Sequence, residues 1–150
     1  MPQHFNLTAV EAAKQIKSRD LSPVELVESL LSQYDSLEPS LNAWVYLDRE
    51  ALLADAQQKQ EELEKGVNVG PLHGVPIGLK DIYYTAGIPT TACSKVYEKF
   101  VPEYDATTVT LLKNAGAIMM GKTVTTEFAC MDPSPTKNPW NPAHTPGGSS

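Results

Sequence analysis

Along the first third of the chain, apolar residues recur with a helical period. Thr8 and Glu11 have capping-box spacing ahead of "AVEAAKQIKS", so a helix is predicted to start there. Ser22, Pro23 and Glu25 repeat the signal: an N-cap, a proline at the first helical position and a glutamate three residues after the cap. Val24, Val27, Leu30 and Leu31 then follow at helical spacing, which gives this helix one buried face. "AWVYL" (Ala43 to Leu47) reads as a short strand. A third helix is predicted from Arg49 to Lys65, ending at Gly66, with the charges of "DAQQKQEELEKG" on a solvated face.

From Gly70 onward prolines and glycines crowd the chain and the helical period gives way to short runs. "VPIGLKDI" is a candidate buried strand with one lysine inside it, and "AIMMG" is another. Between them Asp105 is expected to cap a helix through Asn114 ("ATTVTLLKN") that stops at Gly116. Strand, helix, strand at this spacing predicts a right-handed crossover in an α/β sheet with helices on its faces. "MDPSPTKNPWNPAHTPGG" reads as a linker, and the sequence has no internal repeat.

Composition narrows the class. The chain has 150 residues, 41% of them hydrophobic and 20% charged, and a formal net charge of −6. That is a globular balance with an acidic excess, which argues against a nucleic-acid surface. The start, "MPQHFNLTAVEAAKQ", lacks the basic-then-apolar order of a secretory signal, and no long apolar run suggests a membrane span. Cys93 and Cys130 form no CxxC pair. A reducing cytoplasm is therefore expected, and the NLT sequon at Asn6 carries no chemistry there.

Two places could carry chemistry. Lys80 follows Val75, Ile77 and Leu79 and precedes Ile82. It is either a strand end with its ammonium reaching water, or a buried lysine whose pKa is lowered until it can serve as a base. "GGSS", ending at Ser150, is either a linker or a point where Gly147 and Gly148 let the backbone approach a ligand. His4, His73 and His144 have no metal-ligand spacing, and His73 in "PLHGVP" reads as a hydrogen-bonded structural histidine. Tyr83, Tyr84 and Trp140 read as core or loop anchors, and no GxSxG elbow supports a Ser/His/Asp triad.

The order "GPLHGVPIGLKD", "TTACSK", "YDATTVTLLKNAGAIMMGKTVTTEFA", "PTKNPWNPAHTPGGSS" resembles the amidase signature family from about Leu7 to Ser150. The resemblance implies amide hydrolysis through an acyl-enzyme by a Ser–cis-Ser–Lys triad. Its lysine matches Lys80 and its bridging cis-serine matches Ser149, with Gly147, Gly148 and Ser150 in support. The family's nucleophile and oxyanion amides belong to a later block, beyond Ser150. Ala129, Cys130 and Met131, after the family's "EF", would line the acyl pocket. The implied fold is α/β: N-terminal helices over residues 1–66, then, over 67–150, the first part of a mixed β-sheet flanked by helices. No cofactor and no metal are implied. The expected partner is a small-molecule amide, without nucleic acid or membrane, and a homodimer is one form open to a full-length parent. These 150 residues alone are expected to be inactive and poorly stable. The short "CMDPS" join between "EFA" and "PTKNPW" favours a stand-alone amidase. The alternatives are the glutamine-hydrolysing subunit of a tRNA-dependent amidotransferase, and a non-catalytic fragment or binding module.

Overall fold

A computed structural model describes residues 4–67, 69–130 and 132–150. The chain runs α1 (Ala9–Ser18), α2 (Pro23–Leu41), β1 (Trp44–Tyr46), α3 (Arg49–Glu64), β2 (Pro76–Lys80), α4 (Thr107–Asn114) and β3 (Ile118–Thr123). Single 3₁₀ turns lie at His4–Asn6, Lys95–Tyr97 and Glu127–Ala129. It is an α/β chain with a three-stranded sheet of order β1-β3-β2.

Local chemistry accounts for the helix starts. The Thr8 hydroxyl accepts the Glu11 N–H, and the Glu11 carboxylate accepts the Thr8 N–H at 2.8 Å. Ser22 and Glu25 make the same reciprocal pair at 3.0 and 2.9 Å, so each helix satisfies end donors that would otherwise be orphaned. Asp48 caps α3 by accepting the Ala51 N–H. The expected cap of α4 is corrected: the helix begins at Thr107, beyond Asp105, whose carboxylate accepts the Ala86 N–H at 2.8 Å.

The chain forms two compact units. One comprises the residues up to Ser36, Asp48–Ile77 and Leu111–Met120. Its core joins Ala12, Ile16, Leu21, Leu26 and Val75, with Leu7, Ala13, Leu30 and Leu63 packed on it. His73 is buried there and its Nε2 lies 2.8 Å from the Lys59 carbonyl, the structural role expected of it. The other unit comprises Leu37–Leu47, Gly78–Thr110 and Gly121–Ser150. Residues of β2 and β3 fall in both units: in the first Ile118 N–H bonds Val75 O, and in the second Asp81 N–H bonds Thr123 O.

In the second unit β1 pairs antiparallel with β3, Trp44 opposite Thr123 and Tyr46 opposite Lys122, with an irregularity between the pairs. The Trp44 indole lies over Gly78 and Gly121, where a side chain on either glycine would press within about 3.0 to 3.2 Å of the ring. At Gly121 an added Cβ would also stand 2.3 Å from the Tyr46 carbonyl, so only glycine permits β1 to approach here. β3 runs two residues past the predicted "AIMMG", through Lys122 and Thr123. Trp140, read as an anchor, instead stands 89% exposed.

Candidate active site

β2 delivers Lys80 at its C-terminal end, where the strand leaves the sheet and the side chain is half-buried. Its Nζ donates an N–H to the Ser149 hydroxyl, across 69 residues of sequence. Lys80 thus combines a half-buried place at the strand end with a hydrogen bond to Ser149.

The "GGSS" segment is strapped to the chain just after β3. Two donors converge on the Ser149 carbonyl, the Thr125 hydroxyl at 2.6 Å and the Thr126 N–H at 2.9 Å. The Ser150 hydroxyl donates to the Val124 carbonyl at 3.0 Å and lies 3.3 Å from the Thr123 hydroxyl. The Gly148–Ser149 peptide is cis. Gly147 has φ +104, a backbone region that favours glycine, and an added Cβ on Gly148 would meet Thr126 Cγ2 at 2.8 Å. A linker has no reason for such a set of restraints. The segment is built into place.

A cavity of about 580 Å³ opens beside Ser149, lined by Thr126, Cys130, Pro133, Thr145, Gly147 and Gly148. Cys130 therefore stands at the site. Ala129 is half-buried in the adjoining turn, its N–H bonded to the Thr126 carbonyl, and is not part of this lining. Met131 lies outside the described residues. A larger groove, about 640 Å³, lies along α1 in the other unit. Its walls are mainly aliphatic, from Ala9, Val10, Ala13 and Leu63, and the one histidine there is already tied to Lys59 O. That groove is the larger of the two, whereas Ser149 lines the smaller one.

Under the Lys80–Ser149 contact lies a polar cluster that the sequence pattern did not single out. Asp81 and Lys122 are both fully buried, with Asp81 Oδ1 3.2 Å from Lys122 Nζ. That carboxylate oxygen has no other polar partner, so the facing Lys122 ammonium is what compensates it. Asp81 Oδ2 accepts from the Thr91 N–H at 3.0 Å and the Thr91 hydroxyl at 2.6 Å. Lys122 donates to the Tyr83 carbonyl at 2.9 Å and to the Thr90 hydroxyl at 2.7 Å. Burial pushes the Lys122 pKa below its ordinary 10.5, and the neighbouring Asp81 carboxylate opposes that shift. An acidic residue directly after a lysine in an apolar run, and a lysine directly after "AIMMG", were the available signals. Each was masked because a lone charge at the end of an apolar run ordinarily marks the strand's exit to solvent.

Cys93 and Cys130 are free thiols. Among the described residues no group of three or more His, Cys, Asp or Glu side chains could hold a metal ion, and no helix is long and apolar enough to cross a membrane.

Known proteins resemble the chain in sequence and in fold. The family profile described as Amidase matches residues 25–150. The chain is 42% identical over 151 residues to a glutamyl-tRNA(Gln) amidotransferase subunit of Streptomyces avermitilis, covering 97% of this chain and 30% of that protein. It is 43% identical to the protein of the same name from Lachnospira eligens, over 97% of this chain and 32% of that one. Among solved structures it resembles native peptide amidase from Stenotrophomonas maltophilia, with TM-score 0.85, 30% identity and coverage of 96% of this chain and 32% of the other. It also resembles fatty acid amide hydrolase, with TM-score 0.88, 28% identity and coverage of 99% and 28%. The chain thus spans about 30% of the length of the curated relatives it matches.

Proposed function

The chain belongs to the Amidase family, and from that membership we propose that Lys80 and Ser149 form the proton-relay half of an amidase active site. The reaction is hydrolysis of a carboxamide C–N bond through an acyl-enzyme. A serine hydroxyl attacks a carbonyl poorly until a base removes its proton. Ser149 suits an intermediate position because one hydroxyl both donates and accepts. Its oxygen takes the proton of the attacking hydroxyl while its own proton passes to the neutral Lys80 amine. Lys80 then holds the proton that the departing amine requires. The attacking serine and the donors that stabilise the oxyanion are assigned to the part of the matched relatives' length that this chain does not span. The Ser149 carbonyl, held by Thr125 and Thr126, fixes the direction of its side chain, and Cys130 and the cavity beside it receive the acyl group. A reducing cytoplasm suits the two free thiols.

One observation carries this reading: the Lys80–Ser149 hydrogen bond between two segments that the sequence separates by 69 positions. In the intact enzyme Lys80→Ala is expected to lower kcat for a simple primary carboxamide by about 10²- to 10⁴-fold, the usual worth of a general base, with the fold retained. Near-normal turnover would remove the lysine from the mechanism, and loss of all carboxamide hydrolysis from the unaltered enzyme would favour a binding module.

A second reading is favoured by the names of the curated relatives at 42% and 43% identity. In it the same relay hydrolyses glutamine and delivers ammonia to a partner subunit of a tRNA-dependent amidotransferase. The short "CMDPS" join weighs toward the first reading. Ammonia release from glutamine that rises on adding partner proteins, with no action on simple carboxamides, would decide for the second.

A further inference from the structure

The relay has two halves, and each is attached to a different strand. Lys80 closes β2, and Asp81 is the next residue. Ser149 and Ser150 are held by Thr123, Val124, Thr125 and Thr126, which directly follow Lys122 on β3. Asp81 thus adjoins Lys80, Lys122 adjoins the segment that holds Ser149 and Ser150, and the two face one another at 3.2 Å with no exposure to solvent. Neither touches the cavity beside Ser149. We propose that the buried Asp81–Lys122 ion pair is a positioning pair for the amide-hydrolysing relay, setting the separation of the Lys80 amine and the Ser149 hydroxyl by cross-linking the strand ends that carry them.

Both partners also reach sideways. Lys122 holds the turn after β2 through the Tyr83 carbonyl and holds Thr90 through its hydroxyl. Asp81 holds Thr91, and its carbonyl accepts the Ala92 N–H at 3.0 Å. Ala92 in turn accepts the Phe128 N–H at 2.9 Å, so the loop after β2 is stitched to the segment that follows Thr126. A buried pair of this kind is often replaceable by apolar residues without loss of stability, whereas losing one partner leaves a buried charge uncompensated. Stability alone is thus a weak reason to build it here, and geometry is the better one. A misplacement of about 1 Å between reacting groups can cost about 100-fold in rate.

This inference rests on the relay reading, and the test separates the two. Lys122→Met, Asp81→Asn, the double variant and the milder Thr90→Val, which removes one anchor without stranding a charge, are compared with Lys80→Ala in the intact enzyme. For each, kcat and KM are measured on a primary carboxamide, and thermal stability is measured alongside. The single pair variants lower both stability and kcat. The double variant regains the thermal midpoint but keeps a kcat about 100-fold below the parent at little-changed KM. Thr90→Val lowers kcat less and lowers the midpoint less than either single pair variant, because one N–H of the buried Lys122 loses its acceptor while the charge pair stays intact. Should the double variant fail to fold, Thr90→Val decides by the same kcat-against-midpoint split. A double variant, or Thr90→Val, with parental kcat overturns the pair's positioning role while a dead Lys80→Ala leaves the relay standing. An active Lys80→Ala takes both down.

Discussion

At the scale of single residues, the site depends on how closely segments approach. Gly148 shows the limit: a Cβ there would stand 2.8 Å from Thr126 Cγ2, and Thr126 is buried and β-branched, so it has little freedom to yield. Thr126 also supplies an N–H to the Ser149 carbonyl, so relief of the clash is expected to shift Ser149. Gly148→Ala is expected to lower kcat by about 10- to 100-fold with a much smaller loss of thermal stability, because the segment around it is solvent-exposed. Parental turnover from that variant, measured on a primary carboxamide, would show that the two segments need not touch. Lys80 and Ser149 were legible as residue types in a known order, since each motif is short and local. Asp81 and Lys122 were not. Their meaning is the 3.2 Å between them, which arises only when β2 and β3 lie side by side.

At the scale of elements, the helices were the most readable because their ends are written in side chains. Both capping boxes appear where Thr8–Glu11 and Ser22–Glu25 predict them. The first of these has a pH signature. The Thr8 hydroxyl, then its backbone N–H, hold the Glu11 carboxyl below its ordinary 4.5. A carboxyl with a depressed folded pKa contributes stability that is fully present above 4.5 and is lost as pH falls through the lower folded value. Amide exchange in the first turn of α1 should therefore quicken in that acid window in the parent, and Glu11→Gln should flatten the response there. An unchanged pH profile in Glu11→Gln would assign the fraying to other groups. The start of α4 was misread for a related reason: Asp105 has the right side chain for a cap, but its carboxylate is engaged by Ala86 nineteen residues away, a competition that local sequence does not display. β3 was cut short for the reason that hid Lys122, since its last residues are charged and polar yet lie inside.

At the scale of the molecule, strand order is the part no linear pattern contained: β3 lies between β1 and β2, so the last strand in sequence is the central one. Local patterns put strands and helices in the right order along the chain, but neighbourhood in a sheet is decided by pairing and burial over long separations. The same holds for the aromatic residues of the second unit. Tyr104, Tyr84, Phe100, Tyr97 and Phe128 form a connected row, with successive ring centroids 5.2 to 6.0 Å apart, although Phe128 lies far along the chain from the others. Tyr104 is 65% exposed and Phe128 53%, and Val96 beside Tyr97 is 81% exposed. Full burial of one large apolar side chain is worth about 1.5 to 3 kcal/mol, so a few such residues left in water make contact with another surface favourable. The 150-residue chain made on its own is accordingly expected to associate with rising concentration and to bind an apolar dye. Val96→Lys with Tyr104→Lys should weaken both effects while leaving the capping boxes and the Lys80–Ser149 contact untouched. Sedimentation across a hundredfold range of concentration reads the first effect and dye fluorescence the second. A chain that stays monomeric and dark throughout would mean that this row of rings closes on itself and offers nothing to a partner surface.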